Sequence, residues 1–450
     1  MPALNRDQLL ILGVLRSKGI ATSQELQDAT GKSQPTVSRL MGDMPDHVLT
    51  LGRGRSTVYA SPQSIRGYPA QQPIWLTDEA GAVRRAGTLS FLENDSLHVE
   101  ADFGTFTTHD ALPWPLAPLR AQGFLGRLLA QRLSASGLGT NPEQWRLGSI
   151  LFAALQLHDA PGALTVGTTQ SAQPHPCLSA DLASDLDAIA ADVTSTLPVG
   201  SSVGGEQPKF LAMRAADNQH VLVKFTPPRG TPFGERWHDL LVCEDLAGKT
   251  LVRHGIAAAT SQIVESEKRS YLVSERFDRI GAAGRRHVVS IGEAHAAFTA
   301  GAFNGWGLAA EALAIQRRLS ARDVDHAQLL QHFGRLIGNS DMHSGNLALF
   351  VDLVAKPRFS LAPAYDMLPM RWRPDATLGG VPDYSPFELD AIAASSPARA
   401  IAHELWGELA GDARVSRKLR SLAKEMTSRM APASIAAGSL STRPAKPSHP

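Results

Sequence analysis

The pattern of apolar and polar positions changes character several times along the chain. In LNRDQLLILGVLRSKG, Leu9, Leu12 and Leu15 recur at helical spacing and the run stops at Gly19. Thr22 with Glu25 three positions on is a capping-box start for a short second helix reaching about Ala29. Gly31 supplies a turn. Ser33 is expected to cap a third helix over 33–42, with Pro35 in its first turn, where a missing N–H costs least. VLTLGRGRSTVYA then gives two β-rich runs around Gly52-Arg53-Gly54-Arg55. The order over 4–60 predicts a winged helix-turn-helix. Residues 61–73, SPQSIRGYPAQQP, read as a linker.

Residues 74–170 begin with alternating strands broken by turns and continue into two helical segments, an α/β subdomain. Residues 171–180 are a polar, Pro-containing break. The largest region is 181–430. It carries a Gly-rich turn at 201–209, a strand ending at Lys224, a helix over 235–254 and a strand over 270–277. Helices between 292 and 338 follow, then a loop at 338–346, a strand at 347–351 and a loop at 362–370. The tail 431–450, rich in Ser, Ala and Pro, is expected to fray. The fold class this predicts is α+β.

Composition narrows the function. The 450 residues are 43% hydrophobic and 19% charged, enough apolar material for several cores. With 44 Lys and Arg against 43 Asp and Glu, the net charge is +1, which excludes a bulk-charge coater of nucleic acid. Residues 1–70 hold eight Lys and Arg against five Asp and Glu, so the basic excess is local. The third helix would present Gln34, Thr36, Ser38 and Arg39 to DNA, with Arg53 and Arg55 at the wing tip. Cys177 and Cys243 have no metal or disulfide spacing, which fits a reducing cytosol. No apolar run reaches the ~18–20 residues of a membrane span, so a cytoplasmic protein without a membrane partner is expected.

Four segments supply parts for phosphoryl transfer, which needs phosphates held, a metal coordinated and the attacking hydroxyl oriented. Ser201-Ser202-Val203-Gly204-Gly205-Glu206-Gln207-Pro208-Lys209 is a flexible turn whose N–H groups can close on an anion. Lys224 is a lone cation in the apolar run VLVKF, and Glu244, Glu235 and Asp239 on the next helix are its candidate partners. Asp341 and Asn346 stand five apart in GNSDMHSGN, the spacing of a kinase catalytic loop, between apolar LIG and LALF. Asp366 in PAYDM follows 20 residues after Asn346, where a carboxylate can take Mg2+. His343 is assigned an orienting or phosphate-contacting role. The run Ser274-Glu275-Arg276-Phe277-Asp278-Arg279 reads either as a solvated charge run or as a hinge whose backbone meets adenine.

GNSDMHSGN, PAYDM, SVGGEQPK and SERFDR resemble the HipA family of serine/threonine kinases, the toxins of bacterial toxin–antitoxin modules, over roughly 75–430. The resemblance implies a two-lobed protein-kinase-like fold with an extra N-terminal subdomain, here preceded by the winged helix as in a single-chain subgroup. It implies ATP and Mg2+ as cofactors. Asp341 would be the base, and Asn346 and Asp366 the metal ligands. Lys224 would contact phosphates, and Gly204 to Lys209 would form the phosphate loop. Glu275, Arg276 and Phe277 would line the adenine hinge, with His343 and Tyr365 beside the nucleotide. Ser202 matches the family's autophosphorylated position. Pro208 stands where many members carry an acidic residue. The implied partner is a protein substrate, of which an aminoacyl-tRNA synthetase is the family's example. Two further readings of the same motifs are a transcription regulator with a nucleotide-binding kinase-like body and a small-molecule phosphotransferase.

Overall fold

The structure is a computed structural model, and it describes residues 4–52, 54, 57–157, 159–168, 175–196, 207–375 and 379–431. Ser202, Gly204, Gly205, Glu206, Arg53 and Arg55 lie outside the described residues, as does the tail after 431.

The N-terminal unit packs three helices, Arg6–Lys18, Ser23–Thr30 and Gln34–Gly42, on a small antiparallel sheet. In that sheet Val58–Ala60 lies between Ile20–Thr22 and Leu49–Leu51. Both halves of the Thr22–Glu25 capping box form. Ser33 occupies the N-cap of the third helix, yet its hydroxyl sits 3.1 Å from that of Thr36 instead of capping an N–H. The buried face of the first helix is Ile11, Leu12 and Leu15, whereas Leu9 is exposed. The three positions Leu9, Leu12 and Leu15 therefore straddle the boundary between faces.

The middle unit is an antiparallel five-stranded sheet ordered Gly104–His109, Ser96–Ala101, Val83–Leu92, Gln71–Thr77, Leu164–Val166. Its inner face closes over Leu89, Leu97 and Val99. The expected linker is not free chain. Gln71–Thr77 begins inside it, and upstream Gln63 N–H donates to Phe91 O at 3.0 Å while Glu93 N–H donates to Ser61 O at 2.9 Å. Pro73 O accepts from Gly167 N–H at 3.0 Å, and Gly167 O, which Pro73 has no N–H to serve, accepts from the Trp75 indole Nε1 at 2.7 Å instead. The two units meet across an apolar seam in which Leu92, fully buried, packs with Leu51 and Ala60. Gly19, at φ +78°, lies so close to Ser96 that a Cβ would fall 2.3 Å from its hydroxyl oxygen. Asn94 Nδ2 donates to Ser17 O at 3.2 Å, and Gly52 N–H to a Glu100 carboxylate oxygen at 2.8 Å.

The remaining chain builds a second five-stranded sheet and a helical body. The sheet runs Ser261–Glu265, Ser270–Glu275, Gln219–Phe225, Lys209–Arg214, Cys177–Leu178. Cys177–Leu178, expected to be part of a polar break, is a parallel edge strand beside Met213 and Arg214. The helix Pro232–Arg253 packs against the sheet. The helical body holds Ile291–Phe298, Trp306–Ile315, Ala321–Ile337, Ala398–Gly411 and Arg417–Met430, sharing one core through Trp306, Phe333, Trp372 and Trp406. A small sheet, Val288–Ser290, Ala348–Val351 and Phe359–Leu361, sits beside them. The architecture is α+β. Among the described residues no helix is long and apolar enough to cross a membrane.

Candidate functional site

Lys224 sits on the central strand Gln219–Phe225 with its side chain 6% exposed, between buried Val223 and Phe225. An ammonium removed from water must be paired. It is held by both oxygens of Glu244, at 2.6 and 2.7 Å, and it ion-pairs with Asp366. The choice among three acidic residues is thus settled by geometry. Glu235 is exposed, and Asp239 accepts instead from Ser416 N–H at 2.7 Å and the Tyr384 hydroxyl at 2.9 Å. Lys209 lies directly across the ladder from Lys224. Burial works to raise the Asp366 carboxyl, but the ammonium groups of Lys224 and Lys209 outweigh it and hold the group down at about 2. Burial likewise opposes the charge on Lys224, and the Asp366 and Glu244 carboxylates override it and push its pKa up.

The loop after Ala321–Ile337 arrives at the same place. Gly338 ends that helix in the left-handed conformation, φ +76°. Asn346 Nδ2 donates to Asp341 O at 2.7 Å, closing the loop across the five-residue spacing. Trp306 Nε1 donates to His343 O at 2.9 Å and the Tyr365 hydroxyl to Gly345 O at 3.1 Å. Gly292 N–H donates to Ser344 O, and a Cβ there would meet Ser344 Cβ at 2.6 Å, so that helix start touches the loop directly. Asp341 keeps its side chain 43% exposed. His343 is more exposed still, its Nδ1 accepting from Gly345 N–H at 3.0 Å.

Lys224, Glu244, Asp366, Asp341 and Asn346 are therefore one constellation, joined in part by the side chain of Asn339. Two carboxylates of different character face it: Asp366 half-buried and fixed by cations, Asp341 more open to water. Among the described residues there is no group of three or more His, Cys, Asp and Glu side chains placed to hold a metal. Asn346 and Asp366 offer two oxygen donors. Mg2+ bound through one or two protein ligands, with phosphates and water completing the shell, matches that supply.

The solvated-charge reading of Ser274–Arg279 is corrected: its charged side chains are paired, and Ser274 lies with Glu244 and Asp366 around one cavity. Arg276 is buried, with Nε and Nη2 on the Asp278 carboxylate at 3.0 and 2.9 Å, and it also pairs with Asp159. Arg279 Nη1 reaches Asp278 at 2.8 Å and its Nε reaches Asp159 at 3.1 Å. The N–H groups of Glu275 and Arg276 donate to Thr260 O and His220 O, and the Glu275 carboxylate pairs with Arg214 at 2.8 Å. Phe277 alone of the three turns to the site, its ring centroid 5.7 Å from that of Tyr365. The ion cluster ties the middle unit, through Asp159 and Gly162, to the strand end at Glu275. Of the expected phosphate loop, Gln207, Pro208 and Lys209 are described. Pro208 O accepts from Phe225 N–H at 3.0 Å, so this end is already in register with the Lys224 strand.

Residues 201–433, more than half of the chain, match the HipA-like C-terminal domain, and residues 68–174 match the YjjJ-like toxin middle domain. The chain belongs to the HipA-like toxin family. It is 35% identical to Toxin YjjJ of Escherichia coli K12 over 430 residues, covering 91% of this chain and 94% of that protein. Among solved structures it is similar to Shewanella oneidensis MR-1 HipA, from a complex with HipB and operator DNA. That likeness has a TM-score of 0.45 and 16% identity over 80% of this chain and 91% of the other. A weaker likeness is to the Helicobacter pylori proinflammatory kinase CtkA, TM-score 0.34 at 12% identity, covering 51% of this chain and 88% of that one.

Proposed function

We propose that the chain is an ATP- and Mg2+-dependent protein serine/threonine kinase of the HipA toxin type, carrying its own DNA-reading unit. The observation that supports this most is the meeting of the Lys224–Glu244–Asp366 ion cluster with the Asp341–Asn346 loop. In this reading Lys224, held straight by Glu244, steadies the ATP phosphates. Asn346 and Asp366 hold Mg2+, which neutralises charge on the transferring phosphoryl group. Asp341, open to the cleft, accepts the proton of the attacking hydroxyl. Gly204 to Lys209 cover the phosphates, Phe277 and Tyr365 flank the base, and His343 steadies the loop beside the acceptor. Ser202 is the autophosphorylation candidate.

The test is transfer of labelled γ-phosphate from ATP to protein by the full-length chain. Label should depend on Mg2+, disappear with EDTA and be lost in Asp341→Ala. Equal labelling in wild type and Asp341→Ala would remove the base. Label on an added aminoglycoside and none on protein would favour the small-molecule phosphotransferase. Nucleotide binding without transfer would favour the regulator with a nucleotide-binding body. As the E. coli relative is named a toxin, production of this chain should arrest growth, and Asp341→Ala should relieve the arrest. A synthetase substrate would appear as an Asp341-dependent phosphosite after brief induction.

We read the N-terminal unit as a winged helix that binds DNA. Gln34, Ser38 and Arg39 are exposed on the third helix, while Thr36 is half-buried against Ser33. Arg53 and Arg55 belong to this reading as wing contacts. DNA affinity should fall steeply with salt as phosphate contacts release counterions. Arg39→Ala should cost roughly 1–3 kcal/mol of binding, measured by fluorescence anisotropy, with phosphate transfer unchanged. Wild-type affinity in Arg39→Ala would take that helix out of the interface.

A further inference from the structure

Asn339 stands two residues before Asp341, is buried at 5% exposure, and uses both ends of its side-chain amide. Its Oδ1 accepts the main-chain N–H of Asp341 at 3.0 Å. Its Nδ2 donates to the main-chain carbonyl of Asp366 at 3.1 Å. Its own N–H donates to Gly334 O at 2.8 Å, which anchors the residue to the last turn of the preceding helix. One planar group thus fixes the separation of two backbone points 25 residues apart in sequence.

The second of those points needs fixing. Asp366 has φ +54°, in the left-handed region that a side-chain-bearing residue enters at a cost. Such a conformation persists only where the surroundings hold it. Here the Asp366 N–H donates to Glu244 Oε1 at 3.3 Å and its carbonyl is held by Asn339. Glu244 secures the peptide group before the Asp366 Cα and Asn339 the one after it. The direction of the Asp366 carboxylate follows from that backbone.

We propose that Asn339 is the positioning residue that couples the two carboxylates, keeping Asp366 in its left-handed conformation and setting the Asp341 loop at a fixed distance from it. What those carboxylates do rests on the kinase reading; the coupling itself rests on the amide. Only a side chain carrying a donor and an acceptor on one short rigid group meets both demands. Asn339→Asp keeps the acceptor for Asp341 N–H and sets an oxygen against the Asp366 carbonyl. Asn339→Leu has similar volume and leaves both backbone groups unpaired.

The test uses the full-length chain. Mn2+ binding in the presence of a non-hydrolysable ATP analogue is read by electron paramagnetic resonance, and fluorescent-nucleotide binding is read in EDTA. Hydrogen exchange of the 362–369 peptide is read in metal-free protein. Loss of an orienting contact behind a metal ligand typically lowers metal affinity about 10–100-fold. Asn339→Asp should therefore raise half-saturating Mn2+ by roughly tenfold or more, speed exchange at 362–369, and leave nucleotide binding in EDTA within about twofold of wild type. Asn339→Leu should add a fall in phosphate transfer at saturating Mg2+, because the Asp341 loop is released as well. If Asn339→Leu fails to fold, Asn339→Asp, which retains one bond, carries the test alone. Unchanged Mn2+ half-saturation in Asn339→Asp, or equal losses with and without metal, would overturn the coupling. A wild-type chain that binds Mn2+ but transfers no phosphate overturns the kinase reading and leaves Asn339 to be judged on Mn2+ and exchange. A wild-type chain that binds no Mn2+ overturns the kinase reading and leaves Asn339 to be judged on exchange, where unchanged exchange at 362–369 in Asn339→Asp would overturn the coupling.

Discussion

Replacing Lys224 with Met is expected to destabilise the protein by about 3–5 kcal/mol at pH 7. The substitution leaves Glu244 and Asp366 facing each other without the ammonium that lies between them. Burial then works on both carboxylates unopposed except by Lys209. The pH dependence has a definite sign. In the wild type Asp366 is held at about 2, below its unfolded value, so its contribution is complete above roughly pH 4–5 and is lost as the pH falls toward 2. The Met variant should therefore fall furthest behind wild type near neutrality, and the gap should narrow in acid. Urea denaturation at pH 7 and pH 3 measures this. A gap that widened in acid would mean that the ammonium is not what depresses Asp366. Phosphate transfer should fall at least about 10²-fold, the scale of losing one preorganised electrostatic contact.

Asp278→Ala is expected to cost a similar amount for a different reason. Asp278 takes bonds from Arg276, Arg279 and the Gly162 N–H, all buried. Removing it leaves two guanidinium groups to share Asp159, and an unpaired buried charge costs about 3–5 kcal/mol. The damage falls on the joint between the middle unit and the strand Ser270–Glu275. Limited proteolysis is then expected to cut the variant faster than wild type within 159–168. Identical digestion and melting of the two proteins would show that the cluster holds nothing together.

Much of the site could be read from local pattern because its parts are chemically out of place: Lys224 inside VLVKF, and Asp341 and Asn346 between LIG and LALF. A polar group set in an apolar run must be answered by something, and that shows in the sequence alone. What could not be read depends on distant partners. The choice of Glu244 over Asp239 needs the phase of Pro232–Arg253 against the sheet, and two of its faces are acidic. The burial of Arg276 and Asp278 depends on Asp159, more than 100 residues upstream. Asn339 looks like an ordinary loop residue, since its second bond goes to a backbone atom that has no sequence signature. The fold shows the same division. The helices of the N-terminal unit are legible from caps and spacing, while 61–73 reads as linker because prolines hide a segment fastened by its remaining N–H and C=O groups.

The seam at Leu92 has a practical corollary for anyone cutting this chain into pieces. Leu92 belongs to the middle sheet, but Leu51 and Ala60 come from before residue 61. A truncated chain starting at 61 would lack that cover, and burial of one such side chain is worth roughly 1.5–3 kcal/mol. The shortened body would carry a sticky apolar spot beside an unguarded strand end and would tend to self-associate. The N-terminal unit thus shelters a side chain of its neighbour as well as holding a core of its own.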